Sequence, residues 1–86
     1  MMDKSLQKSI DLLKRKCKVV PDKYTQYRGG YLFAAYPPGT SEKDKDRCMS
    51  PFYLVDIREN AAGPFSPALD FDGFFKAAEN FKSLRD

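Results

Sequence analysis

The run Tyr31-Leu32-Phe33-Ala34-Ala35-Tyr36 is apolar on both of the faces that an extended chain presents, because successive strand side chains point to opposite sides. Such a strand needs cover on each side. The run therefore predicts a central strand, or one with a helix on one face and aromatic or loop residues on the other. The remaining possibility is that Tyr31, Phe33 and Ala35 form a face offered to a partner. An 86-residue chain has little material for such cover, since a domain of that size hides only about 60 to 65% of its extended surface. Seven Phe and five Tyr must fill much of the interior. Each Phe is accordingly read as core first, whereas a Tyr hydroxyl tolerates a half-wet site.

The two ends of the chain supply helices. Over residues 3 to 18, Leu6, Ile10, Leu13 and Cys17 share a stripe at helical spacing, with Leu12 beside them and lysines gathered toward the C-terminal end, where the helix dipole favours cations. Asp3 or Ser5 can cap its start and Pro21 stops its continuation. A second helix opens at Asp70 as N-cap and places Phe71, Phe74, Phe75, Ala78 and Phe81 on one broad stripe, with Lys76, Glu79 and Lys82 opposite.

Between them, residues 22 to 30 read as an aromatic segment that ends in the flexible Gly29-Gly30 pair, and 52 to 57 read as the clearest strand. The intervening residues 37 to 50 read as a mobile charged loop, opened by Pro37-Pro38-Gly39-Thr40. After the turn residues Arg58, Glu59 and Asn60, Ala61 to Phe65 can form a short third strand, with Pro64 tolerated at a sheet edge. The result is an α+β fold in one domain spanning 1 to 86. A small antiparallel sheet of two to three strands packs against an N-terminal and a C-terminal helix, in the order α-β-β-(β)-α, with both helices on one face.

Chemistry is limited by what is missing. The chain has no histidine, so imidazole acid-base catalysis, a Cys-His nucleophile pair and a Cys₂His₂ zinc site are excluded. Cys17 and Cys48 stand alone, Cys17 on the apolar stripe and Cys48 beside Arg47 without a base. Asp56, Asp70 and Asp72 could serve a metal only as an oxygen site, and Asp44 and Asp46 lack the glycine and distal Glu of a calcium loop. Caps and surface charges account for them. No enzyme, cofactor or metal is expected. No segment approaches the eighteen apolar residues of a membrane span and no cleavable leader is visible, so a cytoplasmic location away from membranes is the expectation.

A protein-interaction module is the leading functional class. Its expected surface combines the 37 to 50 loop with exposed tyrosines and an uncovered sheet face or edge, naming Tyr24, Tyr27, Tyr36 and Tyr53 with Arg28 and Arg47 as flanking charges. The partner is another protein or a second copy in a homodimer. The alternative is weak nucleic-acid binding through Lys14, Arg15, Lys16, Lys18, Lys23 and Arg28, with nearby tyrosines to stack on bases. Charge does segregate: residues 1 to 36 carry 8 basic and 3 acidic side chains, the remainder 7 and 9, giving +5 and −2 within the total of +3. A structural subunit of a homo-oligomer is a further alternative. In size and layout the chain resembles small accessory proteins of bacteria and their phages, including some immunity-type inhibitors. That likeness implies binding rather than catalysis and transfers no site residue.

Overall fold

The computed structural model describes residues 4–47 and 51–84. The N-terminal helix α1 spans Lys4–Cys17 and buries Leu6, Ile10, Leu12 and Leu13 along the expected stripe. It closes at Lys18, whose left-handed backbone (φ 56°) lets its amide reach back to the Lys14 carbonyl at 3.0 Å. The chain then forms β1 (Val20–Tyr27), β2 (Gly30–Tyr36), the short helix α2 (Glu42–Arg47), β3 (Phe52–Asp56) and β4 (Ala61–Pro64). A 3₁₀ turn over Pro67–Leu69 leads into α3 (Phe71–Ala78), and β5 (Lys82–Ser83) completes the order.

All pairings are antiparallel, in the sheet order β4-β3-β2-β1-β5. The sheet thus has five strands where the sequence predicts two to three. The added strands are β1, most of which lies in the segment read as aromatic and non-strand, and the two-residue β5, which is too short to leave any periodicity. β2 occupies the centre, and Tyr31 to Ala35 are all buried.

The helices lie on opposite faces rather than sharing one. Tyr31, Phe33, Ala35 and Val55 pack under α1 in one core, while Leu32 packs with Tyr27, Phe65, Phe74 and Ala77 in a second core under α3. Alternation along β2 requires this, since each face of the strand carries large apolar side chains and α1 can cover only one. On the α3 side, Phe52 meets Phe74 edge-on at 4.8 Å between ring centroids, and Tyr27 meets Phe65 at 5.3 Å. Both faces of β2 are thus covered.

The charged segment also differs from expectation, because residues 42 to 47 within the predicted loop are helical. Ser41 caps α2 by accepting the Asp44 amide at 3.2 Å. Lys45 holds it down, sitting over the Tyr36 ring and 3.6 Å from Asp22. β4 keeps Pro64 on a sheet edge, as its missing donor requires.

Gly30 marks the tightest approach inside the sheet. A Cβ there would overlap the Val55 carbonyl oxygen, which is backbone and cannot swing aside, whereas a Cβ at Gly63 meets nothing within 4 Å. Gly30→Ala is expected to cost about 1 to 3 kcal/mol, as for other overpacked interiors. Gly63→Ala should stay within about 0.5 kcal/mol. Paired urea melts check both, and equal stability of the two variants would refute the close approach of β2 to β3.

Candidate interaction surfaces

The β1–β2 hairpin turns on two residues, Arg28 and Gly29, both with positive φ (45° and 80°), while Tyr27 and Gly30 face each other across the closing pair. Two positive values in a two-residue loop define the tight hairpin turn whose twist suits paired strands. Arg28 accepts a conformation that side chains rarely take, and its guanidinium is thereby aimed at the start of α3. There Arg28 Nη2 and Nε donate to Asp70 Oδ2 at 2.7 and 3.0 Å, and the Tyr27 hydroxyl donates to the same oxygen. Asp70 Oδ1 accepts the Gly73 amide at 3.3 Å, the predicted N-cap of α3. A Cβ at Gly73 would run into that carboxylate.

This cluster shifts its own titrations. Hydrogen bonds from Tyr27 and then Arg28 hold the Asp70 carboxyl below the usual carboxylate range. Burial, followed by the bond to Asp70, pushes the Tyr27 hydroxyl up. Asp56 is likewise lowered, chiefly by hydrogen bonding from Arg58 at 3.2 Å. Cys17, half-buried against the α1 core, has its thiol raised by burial. These carboxylates are committed to arginines, and among the described residues no group of three or more acids or thiols converges as a metal site.

Of the six residues expected to form a protein-binding surface, the five whose side chains are described do not all gather into one. Tyr24 packs edge-on against Tyr31, and Tyr53 lies against the same α1 core. Tyr36 stands under Lys45 near α2. Tyr27, expected to be exposed, is 6% exposed, because Asp70 satisfies its hydroxyl and the ring can enter the α3 core. Tyr24, Tyr27 and Arg28 do line one cleft. The Arg47 side chain and all of Cys48 lie outside the described residues.

The basic residues named for nucleic acid are also dispersed. Lys18 precedes β1 and Arg28 follows it, so the strand carries them apart by about 23 Å at the usual rise per residue. Lys23 pairs in register with Ala34 on the α3 side of the sheet, whereas Lys14, Arg15 and Lys16 belong to α1 on the other side. Lys16 is engaged, donating to the Asn60 carbonyl at 2.7 Å and so tying α1 to the β3–β4 turn. Arg28 is already paired with Asp70.

No protein-family model, curated protein or solved structure matches the chain. No helix among the described residues is long and apolar enough to cross a membrane.

One surface departs from the sequence expectation. Phe71 and Phe75, predicted as core, are 55% and 60% exposed and stack on each other with centroids 6.0 Å apart, and Leu69 beside them is 80% exposed. Helical geometry explains this. Phe74, Ala77 and Ala78 take the sector facing the sheet, and 71 and 75, one turn apart, fall outside it. The signal was available, since three Phe within five residues of a helix exceed what one narrow face can bury.

On the other flank of α3, an open cleft of about 880 Å³ separates the helix from the outer edge of β1. Its floor includes Leu6, Tyr24 and Tyr31, and its charged lining residues are Arg28, Lys76 and Lys82.

The Asp70 cluster predicts an acid-sensitive fold. A carboxyl whose folded pKa is depressed adds stability that is present above its unfolded value, about 4, and lost as pH falls through the folded value. Asp70→Asn keeps a capping oxygen but loses the charge paired with Arg28. The variant is expected to melt lower at pH 7 and to lose less stability than the parent between pH 4 and 2, the remainder reflecting Asp56. Denaturant melts across that range check it, and an unchanged acid limb would count against the Asp70 pairing.

Proposed function

We propose that the chain is a small non-enzymatic interaction module that docks a partner protein on the outer flank of α3. The observation that carries this reading is the exposed Leu69, Phe71 and Phe75 patch. A stacked aromatic pair left in water is costly for an 86-residue fold with so few large side chains to spend, and contiguous exposed apolar patches commonly mark interaction sites. Aromatic side chains are also the residues that dominate binding energy at protein interfaces. Asp72, Lys76 and Glu79 flank the ridge with mixed charge, a rim suited to selecting among apolar partners.

The absence of histidine supports a binding role, and so does the pairing of Asp56 and Asp70 with arginines, which leaves them bound rather than poised for proton transfer. The partner has a complementary apolar surface. A second copy of the chain would satisfy this, because Asp72 and Lys76, four residues apart, would face each other's opposites across an antiparallel pair of α3 helices.

Replacing both phenylalanines by serine, Phe71→Ser with Phe75→Ser, tests the reading. Neither ring is buried, so the double variant should keep its circular dichroism and melt within a few degrees of the parent. Binding to the partner should fall at least about tenfold, as expected for loss of aromatic anchors. Sedimentation equilibrium reads the second copy, and a photo-crosslinker in place of Phe75 in the native host reads any other protein. A monomer that crosslinks to nothing through position 75 would sink the proposal.

A further inference from the structure

The cleft on the opposite flank of α3 has the features of a second, independent site. β5 pairs with β1 only at Lys23 and Tyr24, so among the described residues the outer edge of β1 from Thr25 to Tyr27 has no strand beside it. The hairpin register fixes which backbone groups face outward. Tyr27 and Gly30 close the two-residue turn as a hydrogen-bonded pair, so Gln26, opposite Tyr31, directs its N–H and C=O away from β2. Asp22 and Tyr24 precede Gln26 at spacings of two and face the same way, and the outward Asp22 carbonyl accepts the Leu84 amide at 2.9 Å. Gln26 therefore offers the next outward donor and acceptor in line after those β5 uses.

The space beside this edge is bounded rather than open. α3 runs past it, contributing Gly73, Lys76 and Ala77 to the far wall, and the distance between wall and edge is fixed by Asp70, which binds both Arg28 and the start of the helix. Among the described residues, the cleft of about 880 Å³ is lined by the cations Arg28, Lys76 and Lys82 and by no Asp or Glu.

From the open edge, the helical wall and the one-signed charge, we infer that this cleft binds an extended, carboxylate-bearing segment of another protein as a short strand added to β1. Backbone bonds to Gln26 hold the segment in register, alternate side chains lie toward the apolar floor, and its acidic side chains meet Lys76 and Lys82. The site uses neither Phe71 nor Phe75 and shares only Lys76 with the docking flank, so loss of the two rings and loss of Lys82 separate the two sites.

A random-peptide display selection on the immobilised full-length protein tests this. The peptides recovered should be enriched in Asp and Glu at alternating positions. Amide NMR shifts on adding the best of them should centre on Gln26, Asn80 and Lys82. The charge reversal Lys76→Glu with Lys82→Glu should weaken that peptide at least about tenfold, and raised salt should weaken it on the parent. Gln26→Pro removes the outward donor and should abolish binding, while Gln26→Ala, which keeps it, should bind as the parent does. Should the proline variant fail to fold, N-methylation of alternate amides in the peptide reads the same pairing from the other side. No enriched peptide, enrichment without an acidic excess, or shifts centred on Phe71 and Phe75 would each overturn the inference.

Discussion

Everything in this structure depends on a strand that has no polar face. With Tyr31, Phe33 and Ala35 on one side of β2 and Leu32 on the other, two separate hydrophobic layers must form, and each needs its own helix. The chain meets that demand by placing α1 and α3 at opposite ends of the sequence and on opposite faces of the sheet. The two helices are unequal. α1 has 14 residues and buries a full stripe, whereas α3 has 8 and depends on Phe52, Phe65 and Phe81 to complete its layer. A short helix rich in phenylalanine has more rings than its contact face can take, so the exposed flank follows from the same constraint as the core.

Asp70 joins the thin layer to the sheet. Its carboxylate ends one helix and receives the hydroxyl of a strand residue and the guanidinium of a turn residue forty-two positions earlier. The bond from Tyr27 allows a tyrosine to enter the α3 core without stranding its oxygen, which would otherwise cost on the order of 1 to 3 kcal/mol. One side chain thereby sets the cap of α3, the burial of Tyr27 and the width of the cleft.

The parts of the fold legible in the sequence are those where periodicity is strong. Leu6, Ile10 and Leu13 announce α1, Phe52 to Val55 announce β3, and Asp70 before the Phe cluster announces α3. β1 is hidden for physical reasons. Pro21 at its start argues against a ladder, the bulge between Pro21 and Lys23 breaks its alternation, and the turn uses Arg28 at a positive φ, a position that glycine would ordinarily mark. With β1 hidden, nothing in the sequence marks Tyr27 as a residue that a helix will cover. The exposure of Phe71 and Phe75 was hidden because a helical stripe shows which side chains lie near one another and not how wide a surface is there to receive them. The side of the sheet each helix covers was implicit in β2 itself, whose two apolar faces already demanded two covers.

The two flanks of α3 differ in how far each can act without disturbing the fold. Phe71 and Phe75 contact each other and, through Phe75, the edge of Phe74, so a partner on that side adds apolar surface to a ring already packed in the core. The cleft side is different, because Arg28 is shared between the cleft lining and the Asp70 cluster. A carboxylate arriving there competes with Asp70 for one guanidinium. Asp70 would still hold the Tyr27 hydroxyl and the Gly73 amide, so the helix start keeps its cap and the hairpin its anchor even when Arg28 turns to a ligand. Because Lys76 and Lys82 have no such prior partner in the cluster, they are the cations that can meet an acidic segment at no structural cost, and the charge-reversal variant is aimed at them rather than at Arg28 for that reason.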